Sequence, residues 1–215
     1  APRARGGPEH RGQHPLVWRC TIRIGKIVSS SGHIEYACQV YQAGEAAEVP
    51  RPADYAFGSF VRIACEPPAI VGLIYNTVLL NPDYGTLGPR LSPAPDVAVF
   101  SPDLLNERAT LVGIVAVGCW DGKHAPAHGV PPCSAQLDAP VETMTDEEVR
   151  AFHAEETGNL RLGYAPVLMA LGSPLARHLL LTVIDRLAAL CPEAARRLEV
   201  LRASVAWRAA VEPLG

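Results

Sequence analysis

Three runs decide the fold: GKIVSSSGHIEYACQV (residues 25–40), DYAFGSFVRIACE (54–66) and IVGLIYNTVLL (70–80). Each is short, rich in β-branched and aromatic residues, and bounded by turn-forming segments. Ile34, Tyr36, Cys38 and Val40 recur at every second position, and a period of two sends alternate side chains to opposite faces of a strand. Upstream, Cys20, Ile22 and Ile24 alternate with Thr21 and Arg23. The polar SSSGH segment (29–33) turns this first strand back onto the second. Phe60–Cys65 and Ile70–Tyr75 are divided by Glu66-Pro67-Pro68-Ala69; proline has no amide to give a sheet, so the prolines mark a connection. Gly58 and Gly72 suit tight bends or close backbone approach in a small barrel.

Downstream, residues 81–100 (NPDYGTLGPRLSPAPDVAVF) are dense in turn formers, and Ser101-Pro102 reads as a cap and first position of a short helix over 102–108. Thr110–Cys119 (TLVGIVAVGC) is almost wholly apolar, the signature of a central strand covered on both faces. About six short strands at close spacing favour a small β-barrel over an open α/β sheet.

The last 70 residues or so differ in kind. Thr145 and Glu148 form a capping-box pattern for a helix ending near Gly158. Ser173-Pro174 opens another, with Leu175, Leu179, Val183, Ile184, Leu187 and Leu190 on one broad face. Cys191-Pro192 interrupts it, and Ala194, Leu198, Leu201 and Val205 turn inward on the next, giving an antiparallel helical hairpin. The expected class is α+β: a barrel over 18–120, a Pro-rich linker over 121–144 and an α-helical domain over 145–215. Residues 1–17, rich in Arg, Gly, Pro and His, are expected to form a disordered basic tail.

Composition narrows the functional classes. A formal charge of −3 gives no global drive toward nucleic acid, and 48% hydrophobic content suffices for a core. No apolar run approaches the roughly 20 residues of a membrane span, and no apolar h-region follows the basic N-terminal stretch, so a cytoplasmic protein is expected. The six cysteines (20, 38, 65, 119, 133, 191) sit mostly inside apolar runs and read as buried free thiols.

The glycine-led strand and polar turn of Gly25–Ser31, the strand Ile34–Val40, and the runs Gly58-Ser59-Phe60-Val61-Arg62-Ile63 and Ile70-Val71-Gly72-Leu73-Ile74 together resemble the HAS-barrel. That small barrel precedes the motor domain in HerA-type helicases and ATP-synthase subunits. The resemblance covers about 18–120 and implies an assembly element that builds rings and docks partners while an adjacent ATPase does the chemistry. No G-x-x-x-x-G-K-[ST] occurs in the chain: Gly25-Lys26 is followed by Ile27, which has no hydroxyl for a metal. The first functional expectation is therefore a non-catalytic assembly or docking module without a cofactor. Its partner would be a HerA-like ATPase ring or another multi-subunit complex, with homo-oligomers also open. Trp207, Leu179, Val183 and Leu201 are the expected interface anchors, since tryptophan and large apolar groups dominate interface centres.

The alternative is metal chemistry. Cys119, His124, His128 and Cys133 are spaced C-x4-H-x3-H-x4-C, four ligand types that zinc accepts in a tetrahedron, with Asp121 placed to orient an imidazole. Such a site would make the chain a zinc-dependent enzyme or a zinc-stabilised nucleic-acid binder. The spacing matches no common finger frame, and Pro126, Pro131 and Pro132 stiffen the loop. A nucleophile set of Ser101 or Cys133 with His124 and Asp121 lacks any Gly-x-Ser-x-Gly context. Tyr36, Tyr41, Tyr55 and Tyr75 have few basic neighbours and read as cross-strand packing rather than base-stacking platforms.

Overall fold

The computed structural model describes residues 21–81, 108–155 and 159–211, with side chains through Trp207. The basic tail, Cys20 and the helix expected from 102 lie outside the described residues, and the helix expected to end near Gly158 stops earlier, at His153, where Ala154 turns extended.

Seven strands form one sheet: β1 (Arg23–Ser30), β2 (Glu35–Val40), β3 (Phe60–Ile63), β4 (Ala69–Leu80), β5 (Ala109–Trp120), β6 (Ala127–His128) and β7 (Pro140–Thr143). Their order is β2-β1-β7-β3-β4-β5-β6, and a further β2–β5 pairing returns the sheet to its start. Six antiparallel strands thus close a barrel, with the two-residue β6 added along β5. Closure removes the open edges of a free sheet.

The expected barrel over 18–120 supplies only five of these six strands. The sixth is β7, from the stretch read as a linker, and it slots between β1 and β3. Four residues with one inward side chain, Val141, carry too little alternation to be read as a strand. The rest of 121–144 is also part of the barrel. Ala135 and Ala139 pack against its interior, Ile27 donates to the Ala139 carbonyl, and the Tyr36 hydroxyl accepts from the Ala135 amide at 3.2 Å.

The barrel has two apolar surfaces. Ile24, Ile27, Cys38, Val61, Ile70, Ile74, Ile114 and Val141 fill the interior. Phe60, Val71, Leu73, Val115 and Val117 face outward into a second cluster with the helices. β3, the first half of β4 and the second half of β5 are therefore covered on both sides, which is why 114–119 is almost wholly apolar. Gly72 lets two strands meet inside: a Cβ there would lie 2.5 Å from Ile114 Cγ2.

The helices are α1 (Asp146–His153), α2 (Ala165–Ala170), α3 (Ala176–Leu190) and α4 (Ala195–Val211), with a 3-10 turn at Pro192–Ala194 before α4. The capping box at α1 is complete: the Glu148 amide donates to Thr145 Oγ1 at 3.2 Å, and the Thr145 amide to Glu148 Oε2 at 2.8 Å. Arg150 Nε donates to the Leu190 carbonyl at 2.9 Å, holding the end of α3 against α1. Gly58, at φ +80°, brings the β3 approach onto α3, where a Cβ would meet Thr182 Cγ2 at 2.6 Å.

The helical region is not a separate domain, because it shares its core with the barrel wall. Leu179, Leu180, Val183, Ile184 and Leu187 of α3 are fully or almost fully buried, each burial stabilising the fold by about 1.5–3 kcal/mol. This corrects two expectations. Leu179 and Val183 belong to the core and offer nothing to a partner, because the broad face of α3 is used against β3–β5. Leu201 does not turn inward; it is 36% exposed, and α4 meets the core through Leu198 and Val205 instead.

Candidate functional site

The four zinc-ligand candidates are not brought together. β6 pairs with β5 in the register Gly118↔His128 and Cys119↔Ala127. His128 and Cys119 are thus one register step apart and project to opposite faces of the sheet. His128 stacks on Phe152 at 4.4 Å between centroids. Its Nε2–H donates to the Phe152 carbonyl at 2.8 Å and its Nδ1 accepts the Gly163 amide at 3.1 Å, so neither nitrogen is left for a metal. Cys119 lies opposite Ile70 in the β4–β5 register, and burial raises its thiol pKa above the ordinary value. His124 is on an exposed loop, its Nδ1 2.5 Å from Asp121 Oδ2. Asp121 also accepts the amides of His124 and Lys123 at 2.9 Å. These bonds, led by the His124 amide, hold its carboxyl well below the usual range, and the bond to Asp121 raises His124. Cys133 is exposed. Among the described residues, no group of three or more His, Cys, Asp or Glu side chains is arranged to hold a metal ion.

A polar pair that the sequence reading did not single out lies between α1 and the barrel wall. His153 is fully buried, and its Nδ1–H donates to the Val149 carbonyl at 2.6 Å. Its Nε2 then accepts the hydroxyl of Tyr164, also fully buried, at 2.7 Å. Phe60 meets the His153 ring edge-on at 5.1 Å. Desolvation pushes His153 down to about 4 and Tyr164 well up. Both ring nitrogens are satisfied in the neutral form, so the pair orders the core and has no free lone pair for a substrate. His153 and Tyr164 flank a largely polar stretch, AEETGNLRLG (154–163), so nothing in the sequence marks them as a pair.

Several other charges pair with one another. Arg62 reaches Glu148 at 2.9 Å and Glu142 at 3.4 Å. Arg186 reaches Asp146 at 3.1 Å while lying over the Phe60 ring at 5.9 Å, and Arg202 pairs with Asp185 at 2.6 Å. The C-terminal arginines thus include a mixed, ion-paired helix surface. Of the tyrosines, Tyr36 is buried in the barrel and Tyr75 donates to Glu35 at 3.1 Å.

Two stretches of the surface outside the core are notably apolar. At one end of the barrel a cavity of about 470 Å³ is lined by Val40, Tyr41, Val49, Tyr55, Leu79 and Leu80. Gln42 Nε2 closes one wall by donating to the Arg108 carbonyl. On the helical side, α4 buries only Leu198 completely enough to count as core, while Val200 is 69% and Trp207 54% exposed. Helix stability in proteins comes mainly from packing an apolar face. In the second half of α4, Val205 packs against the core while Trp207 stays half-exposed.

Residues 12–213 match the model of a family described as a domain of unknown function, DUF8166. No curated protein matches the chain. Among the described residues, no helix is long and apolar enough to cross a membrane.

Proposed function

The chain belongs to the DUF8166 family, and on that footing we propose that it is a non-catalytic assembly or partner-docking module built on a HAS-like β-barrel, a subunit of a larger complex. The observation that carries this reading is the outer face of α4, where Trp207 and Val200 stand exposed. Tryptophan is enriched at the energetic centres of interfaces. The partner class we favour is a HerA-like ATPase ring or another multi-subunit assembly. Support comes from the barrel pattern of 18–120 and from the lack of any Walker sequence in the chain. A cytoplasmic setting fits the free state of Cys38, Cys65, Cys119, Cys133 and Cys191.

The test is affinity capture from native lysate followed by cross-linking and peptide mapping. The expected result is a partner cross-linked around α4 and lost with Trp207→Ala, while removal of residues 1–15 leaves capture intact. Capture abolished by the tail deletion and indifferent to Trp207→Ala would overturn the reading.

A further inference from the structure

Resting on the docking reading, we propose that one partner is a second copy of this chain, joined through the open edge of β4 in a two-fold antiparallel pairing centred on Val78. β3 accompanies β4 only as far as the Phe60↔Leu73 pair and the flanking bonds between Ile74 and Gly58 and Ser59. A bulge follows at Ile74/Asn76, after which Asn76–Leu80 continue in register with Gly113–Ala109 of β5. Among the described residues, no strand pairs with the other side of Asn76–Leu80. Within the described residues, β4 and the start of β5 therefore run on past β3 as a ribbon with one edge unpaired.

Among the described residues, that edge carries none of the usual protection. Native sheets blunt exposed edges with lysine, proline or inward-pointing charge. Ala69–Leu80 and its companion Ala109–Trp120 contain no charged residue and no proline. Val78, Leu79 and Leu80 are 43%, 75% and 45% exposed. One local bond occupies the segment: the Thr77 amide donates to its neighbour Asn76 Oδ1 at 2.9 Å, a contact that a carbonyl from a second strand would replace.

The chemistry of the edge selects the occupant. Backbone donors and acceptors at strand spacing take an extended strand, and the absence of charge gives a charged partner no complementarity. A second copy is self-complementary, as a two-fold interface demands. Centred on Val78, the pairing sets Val78 against Val78 of the other copy, Thr77 against Leu79, and Asn76 against Leu80. These are aliphatic and polar–aliphatic cross-strand pairs without like charges. Five residues of edge bury less than the roughly 1,000 Å² of a stable interface, so the association is expected to be weak, on the order of micromolar.

Sedimentation equilibrium of the purified full chain over a micromolar concentration series tests this, together with hydrogen exchange of the Thr77–Leu80 amides at both ends of the series. The average mass is expected to rise from 23.0 kDa toward twice that value, with exchange at Thr77–Leu80 slowing in parallel. Val78→Lys, which sets two cations face to face on a solvent-exposed site, should return the mass to monomer; Trp207→Ala should leave the dimer unchanged. A mass that stays monomeric, or exchange at Thr77–Leu80 independent of concentration, overturns the proposal, whether the edge is bare or covered by the chain's own residues. A dimer that survives Val78→Lys also overturns it. A monomer that still captures a partner through α4 sinks this proposal alone; a Val78-dependent dimer with no other partner sinks the α4 reading alone.

Discussion

The Tyr164 hydroxyl donates to His153 Nε2 at 2.7 Å with both side chains withdrawn from water. The bond exists only while that nitrogen keeps its lone pair, so the core between α1 and the barrel wall is built around an uncharged imidazole.

Stability should therefore fall with acid. The unfolded chain protonates His153 near its ordinary value of 6.5, whereas the folded chain refuses the proton until about 4. Between those values the unfolded state binds more protons, so stability is full above about pH 6.5 and declines as pH drops toward 4. Lowered His128 acts in the same direction. The check is the urea midpoint at pH 7.5, 5.5 and 4.5, with the His153 ring followed by NMR; a ring titrating near 6.5 in the folded protein would refute the account.

Tyr164→Phe keeps the ring and deletes the donor. It leaves a buried nitrogen unsatisfied and is expected to cost about 1–3 kcal/mol. A midpoint unchanged from wild type would show that the pair contributes nothing to stability.

Two leucines expected to share a role should part company. Leu179→Ala opens a cavity in the core and should cost about 2–5 kcal/mol. Leu201→Ala, on the outer side of α4, should stay within about 0.5–1 kcal/mol. Thermal unfolding of both variants decides the matter, and equal losses would contradict the burial pattern.

Elemental analysis of purified, folded protein should find no stoichiometric zinc, and His124→Ala with Cys133→Ser should unfold at the wild-type temperature. Zinc at one equivalent, released by changing His124 and His128, would revive the metal reading.

The purified chain is expected not to hydrolyse ATP. Turnover abolished by a point change in this chain would overturn that expectation.

The barrel was legible wherever the pattern ran long enough to be read: Ile34 to Val40, the Pro67-Pro68 break, and the apolar run 110–119, doubly covered in its second half. The Thr145/Glu148 capping box was legible because it is a local code written in four residues. β7 was not, since its place is set by partners more than 75 residues away in β1 and β3, as the Arg62–Glu142 contact with its separation of 80 residues illustrates. The zinc pattern misled for a related reason. Spacing along the chain carries no record of which sheet face a residue takes, and His128 and Cys119 take opposite ones. Leu179 and Val183 were read correctly as an apolar face, but sequence does not say whether such a face meets the chain's own barrel or a foreign surface.

The late arrival of β7 has a consequence for how the molecule comes into being. β1 and β3 leave the ribosome early and are not bonded to each other; each is completed only by residues 140–143. Until then the nascent chain carries a slot flanked by two raw strand margins, the kind of transient surface that recruits chaperones or recruits the wrong neighbour. A synthesis pause before residue 140 should therefore be far more hazardous than one after 145. Fragments ending at 120 should collect as aggregates in an expression series where longer chains do not.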